Sequence, residues 1–264
     1  MTSIGSGGGI EVTPDIFSYT NQIVNLILVG NSNEFVLIDT GMPKAAGEIK
    51  EMIAERMGEN ARPNAIVLTH GHFDHVGSLV ELLEDWRVPV YAHELELPYL
   101  KGEKDYPPGD PEVDSGLVAK MSTMFPNHGI NIGDQVKMLP KDGTMPFMPG
   151  WKWLHTPGHT PGHVSFFREQ DRTLLAGDAF VTVKQESLYK VLTQTVEISG
   201  PPRYFTTDWE QAYESVRKLE ALKPEIAVTG HGLPMSGKEL SENLAFLAKN
   251  FTEVAKPKSS RYVN

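Results

Sequence analysis

The stretch His70-Gly-His72-Phe-Asp74-His75 places four side chains that can bind metal ions within six positions. It follows the apolar run 65–68, which has the length and composition of a buried strand. Side chains two positions apart in an extended segment point the same way, so we expect His70 and His72 to share one ion. Asp74 and His75 lie where the next helix would begin, and they can turn towards a second ion. Imidazole and carboxylate ligands suit zinc, and also iron or manganese.

Further candidate ligands stand at the ends of other predicted strands. His159 lies in a turn braced by proline and glycine, and Asp178 and His231 each follow an apolar run. The glycines on either side of His231 would let the backbone approach a metal closely. A catalytic zinc ion usually takes three protein ligands and a water, so one loop cannot complete the coordination. The seven residues together predict two divalent ions, with Zn²⁺ as the expected metal and Mn²⁺ or Fe²⁺ as alternatives.

Composition restricts the classes of function. The chain has 264 residues, a formal net charge of -10 and no cysteine, which excludes thiolate ligands, disulfides and a thiol nucleophile. The negative charge disfavours a nucleic acid as a general partner, and no apolar run is long enough to span a bilayer. The N-terminus has no apolar segment of the kind found in signal peptides. We therefore expect a cytoplasmic protein with a small-molecule substrate and no membrane partner, and a homodimer is left open.

Hydrophobic periodicity predicts a similar order of elements in both halves of the chain. Each half contains a strand, an aspartate, a helix, a second strand and a histidine, with Asp39 and His70 in the first and Asp178 and His231 in the second. This order suggests an internal duplication. Strands are predicted at 16–19, 23–29, 35–38, 65–68, 88–91, 151–154, 164–167, 173–176 and 226–228, and helices at 45–57, 76–86, 208–222 and from 236 onwards.

Two segments fall outside this scheme. Residues 1–9 are rich in serine and glycine and are predicted to be a flexible tail, followed by a single domain over 10–264. Residues 93–140 are rich in Pro, Gly, Asp and Met, and we interpret them as an inserted segment of helix and loops. Its methionines, at helical spacing after Val113, would either pack in the core or form an apolar flap over the active site.

These motifs resemble those of the metallo-β-lactamase superfamily, in order and over nearly the whole chain. The resemblance implies an α+β fold, an αββα four-layer sandwich in which two β-sheets pack face to face with helices outside. It also implies that His70, His72 and His159 bind one metal ion and that Asp74, His75 and His231 bind the other. Asp178 would bridge the ions beside a hydroxide nucleophile, which makes Asp74 and Asp178 the residues assigned to catalysis.

Several branches of that superfamily match this chain incompletely. The run 156–163 is similar to glyoxalase II enzymes, but only 33 residues follow His231, too few for their C-terminal helical domain. Acyl-homoserine lactonases often have a tyrosine three residues after the bridging aspartate, where this chain has Val181. The nearest overall resemblance is to compact bacterial metallo-hydrolases of unassigned substrate, some of them lactonase-like.

Four more residues are candidates for supporting the ligands or contacting substrate. By resemblance, Asp39 would orient the loop 70–75. His163 would support a ligand, touch substrate or brace its own turn. Arg203 and Tyr204 lie in a proline-rich loop that would line the pocket, with Arg203 meeting a carboxylate or else exposed to solvent.

The sequence thus predicts a dinuclear metallo-hydrolase that attacks a small carbonyl ester, lactone or thioester with a metal-bridging hydroxide. No organic cofactor is expected. The alternatives are a phosphodiesterase using the same site, a mononuclear iron dioxygenase acting on a persulfide, and a non-catalytic metal-binding protein.

Overall fold

The first part of the chain forms a seven-stranded sheet. The structure is a computed structural model, and it describes residues 2–113, 117–183, 188–193 and 196–262. The sheet's first three pairs of neighbouring strands are antiparallel and its last three pairs are parallel, so the fourth strand has one neighbour of each kind. In chain order, which is also their order in the sheet, the strands are β1 (Gly9–Thr13), β2 (Ile16–Asn21), β3 (Val24–Asn31), β4 (Glu34–Ile38), β5 (Ala65–Val67), β6 (Val90–Ala92) and β7 (Val136–Met138).

The second part forms a five-stranded sheet with the order β12-β11-β10-β9-β8. Its central pair, β10 and β11, is parallel, and the outer pairs are antiparallel. The strands are β8 (Trp151–His155), β9 (Val164–Arg168), β10 (Thr173–Gly177), β11 (Ile226–Thr229) and β12 (Met235–Ser236).

Helices cover the outer faces of both sheets. Buried Ile49 and Ile53, four positions apart, face the first sheet, and Leu240, Leu244 and Leu247 face the second. The helices are α1 (Ala46–Met57), α2 (Leu79–Asp85), α3 (Leu97–Leu100), α4 (Leu117–Met121), α5 (Leu188–Thr193), α6 (Trp209–Ala221) and α7 (Gly237–Val254). Short 3₁₀ turns span Glu94–Glu96, Ser122–Met124 and Gly133–Gln135.

The main core lies between the two sheets. Ile27 and Val36 of the first sheet and Phe166, Leu175 and Val228 of the second belong to one buried apolar cluster. Two further clusters fill the space between each sheet and its helices. The predicted αββα sandwich is therefore confirmed, because each sheet is apolar on both faces and needs a layer on each side.

The N-terminal boundary differs from the prediction. β1 begins at Gly9, inside the segment predicted as a tail, because its backbone pairs with Tyr19 of β2. The amide of Gly7 also donates to the carbonyl of Thr20, at 2.9 Å. The flexibility of residues 1–9 stays a prediction.

The segment 93–140 is less separate from the sandwich than predicted. Its last residues form β7, which pairs in parallel with β6 and completes the first sheet. The helix predicted after Val113 is observed as α4, and residues 114–116 lie outside the described residues. Met121 and Met124 are 36 % and 77 % exposed, so the interpretation of these methionines as packed core is wrong. Val118 and Ala119 pack instead, against Tyr204 and Phe205.

In the parts of the chain that the structure describes, every helix is too short or too polar to cross a membrane.

Candidate metal centre

Three imidazole nitrogens converge at one end of the sandwich, beyond the ends of β5 and β8. Nε2 of His70 lies 3.1 Å from Nδ1 of His72, which lies 3.0 Å from Nε2 of His159. All three residues are buried. Tetrahedral zinc with Zn–N bonds of about 2.0–2.1 Å places its nitrogen ligands about 3.3 Å apart, close to this spacing.

A second group of ligand atoms lies beside the first. Nε2 of His231 is 3.4 Å from Oδ2 of Asp74, and His75 completes a set whose ligand atoms all lie within 4.8 Å of one another. Asp178 stands between the groups. Its Oδ2 is 3.6 Å from Nε2 of His75, 3.5 Å from Nε2 of His159 and 3.3 Å from Nε2 of His231.

Outer hydrogen bonds fix the orientation of three of these imidazoles. Nδ1 of His75 donates to Asp39 at 2.8 Å, and Nδ1 of His231 donates to the carbonyl of Ile23 at 2.8 Å. Nδ1 of His159 contacts the hydroxyl of Thr206, which itself donates to a carbonyl. These bonds place a proton on Nδ1 and direct Nε2 into the cluster, as is usual around a metal ion.

Asp39, which accepts the hydrogen bond from His75, also connects to His70 through Thr69. Its carboxylate accepts from the amide and hydroxyl of Thr69, at 2.8 and 2.7 Å, and the same hydroxyl lies 3.0 Å from Nδ1 of His70. Asp39 therefore contacts the loop 70–75 at both ends. That is the position expected of it from the sequence.

Burial and the carboxylates divide the histidines into two classes. Burial first, and then the neighbouring histidines, hold the pKa of His70 and His159 well below its ordinary value and lower the pKa of His72 to about 3. Burial also lowers the pKa of His75 and His231, but the carboxylates of Asp178 and its neighbours outweigh it and raise both. The same two histidines hold the pKa of Asp178 well below its usual range, although its burial acts in the opposite direction.

His163 braces the backbone of Asp178. Its Nε2 accepts from the amide of Asp178 at 2.8 Å, and its Nδ1 lies 3.0 Å from the carbonyl of Thr156. Burial lowers the pKa of His163 to about 4, which favours the neutral ring that can accept this bond. Of the predicted alternatives, the structure therefore places His163 against a ligand's main chain and in its own turn.

The residues fit metal ions. Nε2 of His75 and Oδ1 of Asp178 are buried and have no hydrogen-bond partner among the residues that the structure describes, although buried polar atoms are almost always paired. Both belong to residues whose ligand atoms lie close together in the cluster. A Cβ built on Gly230 would lie 2.0 Å from Oδ1 of Asp178, so the backbone approaches this carboxylate as closely as glycine allows.

The structure places Arg203 away from the ligands. Its guanidinium donates to the carbonyls of Val254 and Ala255, at 2.7 and 2.8 Å, beyond the last turn of α7. Carbonyls at a helix C-terminus lack partners within the helix and attract cations, which explains this position. The guanidinium is therefore held by main-chain carbonyls rather than fully exposed to solvent, and its predicted contact with a substrate carboxylate stays a prediction.

An aromatic cluster next to His72 includes Tyr204 and a neighbour that the sequence analysis did not select. The ring of Phe205 lies 4.7 Å from the ring of His72, whereas Tyr204 packs behind it, 5.0 Å from Phe205. Phe73 and Phe125 complete the cluster at 6.3 and 6.2 Å from Phe205. Phe205 was missed because the sequence of a proline-rich loop does not distinguish an aromatic residue that lines a pocket from one that packs in the protein core.

Two further residues missed from the sequence are Glu96 and Tyr106. The ring of Tyr106 lies 4.5 Å from the ring of His72, and its hydroxyl contacts Glu96. Burial raises the pKa of Glu96, although its hydrogen bonds, the one from Tyr106 first, act to lower it. Glu94 and Glu96 look alike in sequence, and only the fold exposes the first and buries the second.

Comparisons with known proteins agree with this architecture. The family model described as the metallo-beta-lactamase superfamily matches residues 19–231. A relative from Bacillus subtilis (strain 168), the probable metallo-hydrolase YflN, is 49% identical over 257 residues, which are 96% of this chain and 97% of the relative. Among solved structures, the BLEG-1 B3 metallo-beta-lactamase has a TM-score of 0.61 at 24% identity, covering 90% of this chain and 98% of its own. TTHA1623 in a di-iron-bound form has a TM-score of 0.54 at 27% identity, covering 86% and 92%.

Proposed function

Because the chain belongs to the metallo-β-lactamase superfamily and is a metallo-hydrolase with a buried cluster of histidines and aspartates, we propose that it is a dinuclear enzyme that hydrolyses a small carbonyl ester, lactone or thioester. The observation that carries this proposal is the position of Asp178. Its carboxylate lies between two sets of ligands, with Oδ2 near three imidazoles and Oδ1 without a hydrogen-bond partner in the described parts of the chain.

The two sets define two half-sites. The first half-site consists of His70, His72 and His159, and the second of Asp74, His75 and His231, with Asp178 shared between them. We propose zinc as the ion in both, with iron or manganese as the alternatives that the same donors would accept. Bound divalent ions would supply a hydroxide nucleophile at neutral pH and polarise the carbonyl under attack.

The aromatic cluster supports an uncharged substrate with an apolar group. Phe205 lies against the ring of His72, and Phe73 and Phe205 pack in one apolar cluster with Val118 and Ala119, which gives the first half-site an apolar neighbour. Arg203, two residues before Phe205, is held at the end of α7. The apolar side chains favour a carbonyl compound over a phosphodiester, because burying the negative charge of a phosphodiester against an apolar wall is unfavourable.

A substrate panel tests the proposal. The protein would be loaded with zinc, manganese or iron, the bound metal quantified, and hydrolysis measured for lactones, esters, thioesters and phosphodiesters. We expect two ions per chain and turnover of a carbonyl substrate that rises as the second ion binds.

Other outcomes would overturn the proposal in distinguishable ways. One iron per chain with oxygen uptake on a persulfide would identify a dioxygenase. Turnover confined to phosphodiesters would identify a phosphodiesterase. Bound metal without turnover of any substrate, in wild type and Asp178→Ala alike, would favour a metal-binding protein.

The substrate is proposed to be a small molecule, with no nucleic-acid or membrane partner. The cytoplasmic location and the homodimer considered from the sequence stay predictions.

A further inference from the structure

A single buried carboxylate connects the two loops of the first half-site. Glu96 is 0 % exposed, and its carboxylate accepts four hydrogen bonds. One oxygen accepts from the amide of Gly71, at 3.0 Å, and from the hydroxyl of Tyr106. The other oxygen accepts from the hydroxyl of Thr160, at 2.7 Å, and from the amide of Gly162, at 2.8 Å.

The donors come from loops that carry metal-binding histidines. Gly71 lies between His70 and His72, and Thr160 directly follows His159. The two loops are 87 residues apart between His72 and His159, and Glu96 comes from a third segment. The carboxylate therefore makes one hydrogen-bonded unit of the three elements around the first half-site.

Close packing allows little freedom in this unit. A Cβ on Gly71 would lie 2.6 Å from the hydroxyl of Tyr106, and a Cβ on Gly162 would lie 2.7 Å from Cγ of Glu96. A buried carboxylate is unfavourable unless its oxygens are fully hydrogen-bonded, so its position is set by the four donors together. The loops cannot shift separately without leaving an oxygen or a donor unpaired.

We propose that Glu96 is a positioning residue that sets the metal affinity of the His70, His72 and His159 half-site by holding its two loops at a fixed separation. This inference rests on the proposed dinuclear site and adds a residue that touches no ion. Its effect is confined to one half-site, because His75 and His231 of the other half-site are oriented by other partners, Asp39 and the carbonyl of Ile23. A purely structural role would lower stability without distinguishing between the two ions.

The experiment measures the affinity of each ion by competition with a chelator, in wild type and in Glu96→Gln. The amide keeps the size of the side chain but replaces one acceptor oxygen with a donor, so one of the two loops loses its bonds. We expect one ion to bind about 10- to 100-fold more weakly, the usual range for outer partners, and the other to change by less than about threefold. His159→Ala, which removes a ligand from the first half-site alone, identifies which ion is affected.

Three further variants separate positioning from general damage. Tyr106→Phe and Thr160→Val each remove one hydroxyl donor and should weaken the same ion by less than Glu96→Gln does. Asp110→Asn is the matched control. Asp110 is also fully buried and accepts from Glu112, Ser260 and Arg261, none of them on a ligand loop, so both ions should bind as in wild type.

Substitution with Co²⁺ gives a readout other than activity. The visible absorption of the bound ion should change in Glu96→Gln and stay unchanged in Asp110→Asn. Unchanged affinities and spectra in Glu96→Gln would overturn the inference, and so would equal weakening of both ions. If Glu96→Gln does not fold, Tyr106→Phe and Thr160→Val decide in the same way.

Failure of the proposed function would look different. If wild type binds a single ion, the dinuclear proposal fails, whereas the effect of Glu96→Gln on that ion still tests the positioning role.

Discussion

The two strand–helix–strand halves of the molecule place equivalent aspartates in different roles. In the first half, β4 and β5 pair without a break, from Val36 opposite Ala65 to Ile38 opposite Val67, and Asp39 follows at once. In the second half, the pairing of β10 with β11 shifts by a residue between Leu175 and Gly177, and Asp178 follows the shift. A bulge of this kind re-aims the side chains after it.

The consequence is that one aspartate supports ligands and the other stands among them. Asp39 accepts from Thr69 and His75 and lies behind the loop 70–75. Asp178 lies within 3.6 Å of three imidazole nitrogens. Gly177, at φ 56°, makes the bulge possible, because a Cβ there would lie 2.6 Å from Nε2 of His163. One extra residue in a strand thus decides the role of the aspartate that follows it.

The largest effect should follow from Asp178→Asn. The neutral amide cannot bridge two ions or balance their positive charge as the carboxylate would, so kcat/KM should fall by more than about 100-fold, beyond the range seen for outer partners. Metal analysis should show loss of at least one ion per chain. Retention of both ions with near-normal activity would contradict the central position of Asp178.

A smaller effect should follow from the same substitution at the equivalent position, Asp39→Asn. Asparagine tolerates the positive φ of 58° at this position, so the backbone should be preserved. Loss of the charge facing Nδ1 of His75 should weaken metal binding by about 10- to 100-fold while both ions still bind at saturation. Chelator competition measures this, and an effect as large as that of Asp178→Asn would show that the two aspartates are not distinguished as described.

A further effect concerns pH and separates the two half-sites. In the metal-free protein the carboxylates raise the pKa of His75 and His231, whereas burial lowers the pKa of His70, His72 and His159. An ion in the second half-site must therefore displace protons up to a higher pH than an ion in the first half-site. Affinity of the second half-site should therefore rise with pH by up to about tenfold per unit for each proton displaced, while that of the first stays nearly constant. Titration of both affinities between about pH 5 and pH 8 checks this, and parallel pH dependence would contradict it.

Much of the fold was predictable because its strands and main helices carry strong periodic patterns. The apolar runs of β3, β4 and β5, and the spacing of Leu240, Leu244 and Leu247 in α7, identify buried faces directly. β1, β7 and β12 were not predicted. All three are edge strands that are either very short or mostly exposed, so backbone pairing holds them and leaves little hydrophobic pattern.

The N-terminus of α7 shows that a local motif can predict the start of a helix without predicting its capping hydrogen bond. The run Ser236 to Glu239 predicts a capping box, and the helix does begin at Gly237. Ser236 makes no side-chain cap bond, because its backbone belongs to β12 and pairs with Ile226. The helix start was correct, whereas its expected cap gave way to strand pairing.

By itself, the sequence determined which residue types could bind metal and at which strand ends they stand, since four candidates fall within one loop and the others follow apolar runs. Only the tertiary structure decided how they act together, because ligand geometry depends on atoms from segments far apart in the chain. The bulge before Asp178, the position of Arg203 at the end of α7 and the burial of Glu96 between two loops are all of this kind. Each depends on which backbone donors and acceptors come together from distant segments, and a local sequence pattern does not predict those partners.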